Sequence, residues 1–203
     1  MMKLDALCQQ GGRRQSGAAA VEFALVAVLL IVLLLGIVEL GRFLYLFNTV
    51  QEVTRRAARE AVVSCTDSNT QDGIRSRAVL GAGATGAFLP AGGEITDARV
   101  VIDYLDKNQV PIGRYIACPS PYNGNILKCE ADAADCIKFV RVRVCDYQNQ
   151  NRCSPVQYVP MIGLFSPDPN KPTGSMHIID LSVDIPNSTV IMPAESLGYT
   201  FTL

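Results

Sequence analysis

The residue with most to explain is Glu22, a carboxylate set four residues into an apolar run that extends from Ala18 to Leu40. An acid in such a place is costly unless it snorkels to headgroups or meets a partner. Seven cysteines offer a second chemistry, at 8, 65, 118, 129, 136, 145 and 153. One precedes the apolar run and six follow it, and six on the far side of a membrane suit disulfides in an oxidising compartment. Cys65, Cys118, Cys129, Cys136, Cys145 and Cys153 are therefore disulfide candidates. Their gaps are too irregular for a zinc site, they include no C-x-x-C pair, and six cysteines allow fifteen pairings.

Other sites fail on context. Gly81-Ala82-Gly83-Ala84-Thr85-Gly86 matches G-x-G-x-x-G, but it follows what reads as a helix end and runs into Pro90 and Gly92-Gly93, so it reads as a loop. His177 is the one histidine and there is no tryptophan. No cysteine has a histidine close in sequence, and no serine sits in a nucleophile elbow. Asp132, Asp135 and Asp168 lack the spacing of a calcium loop. Asn187-Ser188-Thr189 is a sequon by composition. Neither metal nor cofactor is expected. A net charge of −1 and a pI near 5.8 give no basic face for nucleic acid.

The run from Ala18 to Leu40 holds 23 residues. As a helix it would measure roughly 34 Å, enough to cross a bilayer core. A secretory signal peptide fits poorly, because the run is too long and Gly41-Arg42-Phe43-Leu44-Tyr45 after it is a poor cleavage sequence. The small residues Gly17-Ala18-Ala19-Ala20 lie before the run instead, which places a cut on the cytoplasmic side. Lysine and arginine counts on the two flanks do not orient the span. The cysteines do: the N-terminus is expected in the cytoplasm and residues from about 42 onward outside. Beyond the span Leu46, Val50, Val53, Ala57 and Ala61 continue an apolar stripe at helical spacing. One helix is expected from about Ala18 to Val63.

Further along, Asp67 to Thr70 reads as a polar break, Gln71 to Leu80 as a short helix and Gly81 to Gly93 as a loop. The period then changes to two. Val100, Ile102 and Tyr104 form one half-buried strand, Val140, Val142 and Val144 a second, and Ile179, Leu181, Val183 and Ile185 a third. Pro111 to Ala117, Val156 to Met161 and Tyr199 to Leu203 are weaker candidates. Pro119 to Asp135 and Ser166 to Ser175 read as long polar links. The fold class is α+β: a long N-terminal transmembrane and amphipathic helix packed on a periplasmic antiparallel β-sheet domain, pinned by disulfides.

The segment Arg13-Arg14-Gln15-Ser16-Gly17-Ala18-Ala19-Ala20-Val21-Glu22-Phe23-Ala24-Leu25, with Gly36-Ile37-Val38-Glu39 and Ala57-Ala58-Arg59, resembles the TadE-like family of minor pseudopilins from the tight-adherence (Flp) pilus machinery. The resemblance covers about residues 13 to 62. It implies that Gly17 ends a leader of residues 1–17 removed by a prepilin peptidase and that Ala18 becomes the new N-terminus. It also makes Glu22, followed by Phe23, the pilin glutamate. The first mature residue is alanine, not the phenylalanine of major type IV pilins, which favours the Flp/TadE branch. A glycine before the cut lets a protease draw the backbone into an extended form. In a bundle of pilin-like subunits the Ala18 ammonium is a partner for Glu22, so that the acid sets axial register. On this reading residues 18–64 are the long helix, pilin-like in packing on the periplasmic domain 65–203. The partners are the peptidase, other pilin-like subunits, tight-adherence inner-membrane machinery and membrane lipid. Cys8 leaves with the leader.

Three functions are weighed. The first is a non-enzymatic pseudopilin in the bacterial inner membrane that helps assemble a pilus or related secretion system. The second is a membrane-anchored binding module, or adhesin, with a disulfide-bonded ectodomain. The third is an anchored periplasmic enzyme, which the lack of any clustered acid, base and nucleophile disfavours.

Overall fold

A computed structural model describes residues 16–83, 85–113, 124–147, 153–161, 183–194 and 197. The chain divides into two units between Gly41 and Arg42. The described part of the first unit is purely helical. It belongs to α1, Ser16–Ala61, a single helix of 46 residues that continues into the second unit. Leucine, alanine and valine dominate α1 and no proline interrupts it, so nothing in the sequence stops helix propagation. Its apolar side chains from Val21 to Leu40 are exposed all round. A helix apolar on every face needs lipid or other helices around it.

In the second unit α1 changes character. Leu46, Val50, Val53, Ala57, Ala58 and Ala61 are buried, while Arg55, Arg56 and Arg59 face water. The helix ends in a tightened turn, with Val63 N–H and Ser64 N–H both donating to the Glu60 carbonyl. Helix α2, Ser68–Ala78, follows at once. Its start is the expected polar break put to use: Asp67 is the N-cap, and its carboxylate accepts from Thr70 N–H at 3.0 Å and Thr70 Oγ1 at 2.8 Å. These bonds to the charged form hold the Asp67 carboxyl below its ordinary value, although partial burial pushes the other way.

A hairpin, β1 (Phe88–Leu89) and β2 (Gly92–Thr96), comes next, where the glycine-rich composition predicts only loop up to Gly93. Gly92 is buried against α1, and a Cβ there would stand 2.2 Å from Leu46 Cδ2, so a tertiary contact selects glycine inside a strand. The central sheet has the order β3-β4-β9, with β3 (Val100–Leu105), β4 (Phe139–Val144) and β9 (Ser188–Pro193), all antiparallel. Across it run the rows Val100↔Val144↔Ser188, Ile102↔Val142↔Val190 and Tyr104↔Val140↔Met192. Those apolar side chains join the core with the second half of α1. Thr54 Oγ1 on α1 meets Ser188 Oγ on β9 at 2.8 Å. On the opposite face Asp103 is shared by Arg141 and Arg143. The architecture is α+β, as expected.

The third strand of this sheet is a correction. The alternation from Ile179 to Ile185 predicts it, but β9 takes that place. Ile179 and Leu181 lie outside the described residues, and Asp184–Ile185 forms a short strand, β8, paired with β7 (Val156–Gln157). Inside the link from Pro119 to Asp135 there is a helix, α3 (Gly124–Glu130). Asn125 on α3 clamps Ile137 through both backbone groups, each at 3.0 Å. Of the weaker candidates, Pro111 makes an isolated bridge to Leu105, and residues 199–203 lie outside the described residues.

Two disulfides pin the loops. Cys129–Cys136 closes the turn after α3, and Cys145–Cys153 joins the end of β4 to β6 (Cys153–Ser154), which pairs with β5 (Asp146–Tyr147). Cys65 is also disulfide-bonded. Cys8 and Cys118 lie outside the described residues, as do His177, Asp168 and residues 1–15 of the expected leader.

Candidate assembly site on the N-terminal helix

The residues expected to matter for processing and register fall within the first two turns of α1. Gly17 and Ala18 lie within α1 and are helical. A Cβ on Gly17 would meet nothing within 4 Å. Ala18 and Glu22 are four residues apart and share a helix face. Glu22 and Phe23 are exposed, Phe23 by 76%, and among the described residues none bonds to Glu22. The helix therefore presents a carboxylate and an aromatic ring on an otherwise aliphatic surface, with no partner for the carboxylate among the described residues.

The next charged side chains along α1 behave differently. Glu39 is only half exposed. Arg42 is the first residue of the second unit and is held on all sides. Its Nε donates to the Ala91 carbonyl at 2.9 Å and its Nη1 to the Val159 carbonyl at 2.8 Å. Its Nη2 donates to Glu94 Oε1 at 2.6 Å. The guanidinium lies over the Tyr158 ring, 4.9 Å from its centroid, and Phe43 packs edge-on against the same ring at 5.4 Å. Glu94 sits on β2 with its side chain only 6% exposed. Its Oε1 also accepts from Val159 N–H at 3.2 Å, while Oε2 is buried with no partner among the described residues. Burial works against the Arg42 charge, but the Glu94 hydrogen bond and charge, helped by Tyr158, outweigh it and hold the group above its ordinary value. Nothing in the sequence flags this node: Arg42 looks like an ordinary basic flank of a membrane span, and Glu94 is 52 residues away.

The described glycines of the 81–86 motif lie outside any helix or strand, with Thr85 and Gly86 in a turn. Gly83 and Gly86 have φ of +89° and +81°, and a Cβ on Gly81 would stand 2.6 Å from Ser76 Oγ. The Gly86 and Ala87 N–H groups, of the kind that cradle a phosphate in nucleotide-binding loops, both donate to Asp97 Oδ2. That carboxylate fills the anion position from within the chain.

A cavity of about 460 Å³ lies between α2 and β3, lined by Gln71, Arg75, Ile102 and Tyr104 among others. Burial pushes the Tyr104 phenol up, and its hydroxyl has no hydrogen-bond partner among the described residues. Among the described residues no group of three His, Cys, Asp or Glu side chains is placed to hold a metal.

α1 has the length and composition of one membrane-crossing helix. It fits a single-pass anchor. No curated protein and no solved structure matches the chain. One family does: residues 17–59, which include Gly17, Ala18, Glu22 and Phe23 and end two residues short of the end of α1, match the family described as TadE-like protein.

Proposed function

We propose that the chain is a minor pseudopilin of a tight-adherence (Flp, type IVb-like) pilus or a related secretion system. It acts in the bacterial inner membrane by packing its N-terminal helix against other pilin-like helices. The TadE-like match points to a pilus-associated protein, with other pilus components as partners and no enzymatic role known for the family. The observation that carries the finer reading is Glu22, an exposed acid with no partner among the described residues, on a helix that is apolar all round. Such a helix is stable in lipid, but its acid calls for a partner. A neighbouring subunit's Ala18 ammonium, freed by a prepilin peptidase cutting after Gly17, supplies the opposite charge at the right depth. The second unit then lies in the periplasm, where its disulfides persist.

The test is direct. Expressed with its peptidase, the mature chain should begin at Ala18 by N-terminal sequencing. A start at Met1, or a cut after Leu40, would falsify the assigned processing. Gly17→Asp should leave the leader attached. Glu22→Ala should insert and fold normally yet abolish pilus assembly, and normal piliation in that variant would remove the register role.

A further inference from the structure

We propose that the free edge of β9 takes up an extended, acid-bearing segment of a partner protein as a further strand of the β3-β4-β9 sheet. Every residue involved lies in the second unit. In an antiparallel ladder a residue's N–H and C=O point to the same side, and the side alternates along the strand. Ala194 N–H donates to the Lys138 carbonyl, so Met192, Val190 and Ser188 also face β4. Thr189 and Ile191 face the other way. The order β3-β4-β9 places no strand on that side, and among the described residues nothing bonds to their main-chain groups. An incoming strand, parallel or antiparallel, can bond both the N–H and the C=O of each.

The two edges of the sheet are unlike. Edge strand β3 is guarded: Ile112 N–H donates to the Tyr104 carbonyl at 2.8 Å, Pro111 bridges Leu105, and α2 lies alongside. Edge strand β9 carries Thr189-Val190-Ile191, strong strand formers without a charge, and Pro193 interrupts the row of donors only at its end. A bare edge of this kind is a template for pairing. Beside it runs a groove of about 280 Å³, lined by Phe47, Gln51 and Arg55 on α1 and by residues 186–190. The 2.8 Å contact of Thr54 Oγ1 with Ser188 Oγ ties the start of the strand to the helix. Val190 belongs to the helix-facing row of the sheet, so a side chain set opposite it would enter this groove.

Charge selects the occupant. Arg55 is exposed, and the acids of this part of α1, Glu52 and Glu60, pair with Arg56 and Arg77 instead. On the outer face Arg141 and Arg143, beside Ile191 and Thr189, share the single carboxylate of Asp103. Both faces that flank the edge therefore carry surplus positive charge. Ile191, 44% exposed, and Phe47, 37% exposed, add apolar contact. The fitting segment presents a carboxylate toward the helix, with apolar and hydroxyl side chains around it.

The probe is a short synthetic peptide of alternating valine and threonine with one central aspartate, compared with its lysine counterpart. Each is titrated with the full chain in detergent micelles and followed by fluorescence anisotropy. The wild type should bind the aspartate peptide roughly three- to tenfold more tightly, and Arg55→Glu should reverse the preference. Binding should slow amide exchange at Thr189 and Ile191. Ile191→Pro removes an outward N–H and leaves the bonds to β4 in place, so it should abolish binding of both peptides with little change in melting temperature. Thr189→Pro, which blocks the neighbouring N–H, serves if that variant does not fold. Equal binding of the two peptides, binding of neither, or binding that survives the proline overturns the strand addition. Slow exchange at Thr189 and Ile191 in the free monomer means that the chain's own residues cover the edge, which also overturns it. So does a dimer lost in Ile191→Pro, because the occupant is then a second copy.

Discussion

Replacing Arg42 by alanine isolates a buried carboxylate, and its cost follows from the surroundings of Glu94. That side chain is 6% exposed and the Arg42 side chain 12%. After the substitution Glu94 keeps one hydrogen bond, from Val159 N–H at 3.2 Å, and its Oε2 gains nothing. Breaking a buried pair by removing one partner costs about 3–5 kcal/mol. Protonation sets a ceiling. Neutralising a carboxyl of ordinary pKa at pH 7 costs roughly 3.7 kcal/mol, so the electrostatic loss cannot much exceed that. The expected loss is therefore about 3–4 kcal/mol at pH 7, or a fall in melting temperature of about 10 °C for a unit of this size.

Denaturation of the full chain in detergent, followed by circular dichroism at pH 7, measures the loss. Arg42→Ala/Glu94→Gln should be less destabilised than Arg42→Ala. A loss below about 1 kcal/mol, or a double variant no more stable than Arg42→Ala, would refute the reasoning that Arg42 is what makes the buried acid tolerable.

Gly92→Ala should cost about 1–3 kcal/mol, because the new methyl meets Leu46 Cδ2. A double-mutant cycle with Leu46→Val should recover part of that loss, and strict additivity would deny the contact. Asp67→Ala should cost about 1 kcal/mol by removing the α2 cap. Because the folded pKa of Asp67 is lowered, its contribution is present above the ordinary carboxyl pKa and fades as pH falls below it. Urea melts from pH 7 down to pH 3 should show the wild-type and Asp67→Ala curves converging at the acid end. Cys145→Ser/Cys153→Ser opens a loop with a sequence separation of 8. It should cost about 2–3 kcal/mol in a urea melt, whereas reducing the wild type should cost more by opening the other disulfides too.

The parts of the fold legible in the sequence are those where one period is uninterrupted. The span, the stripe from Leu46 to Ala61 and strands β3 and β4 all repeat apolar residues at a fixed step. Strand β9 was hidden because Val190, Ile191 and Met192 are apolar on both faces, so they carry no alternation, and Ile191 is exposed. The β1–β2 hairpin was hidden because its defining glycine answers to Leu46, a neighbour far away in sequence. The same holds for Arg42, whose meaning lies in Glu94, Ala91 and Val159. In the candidate site, Glu22 stood out because a charge in an apolar run violates a local rule, and no folding information was needed to see it.

Glu22 and Arg42 lie 20 positions apart on one helix and pose opposite physical problems. Arg42 has its charge met within the chain, by Glu94 and a Tyr158 ring, and its removal should be felt as lost stability. Glu22 has no partner among the described residues, so its removal takes away nothing that holds the fold. A carboxylate kept in an apolar helix at no benefit to folding needs a reason outside the chain. The two variants should therefore dissociate. Arg42→Ala lowers the melting temperature, whereas Glu22→Ala leaves it unchanged, and if the acid is matched by another subunit, the second variant alone is well folded and incompetent for assembly. Equal melting losses in both would mean that Glu22 is satisfied within its own chain, and the case for an intersubunit partner would lapse with that result.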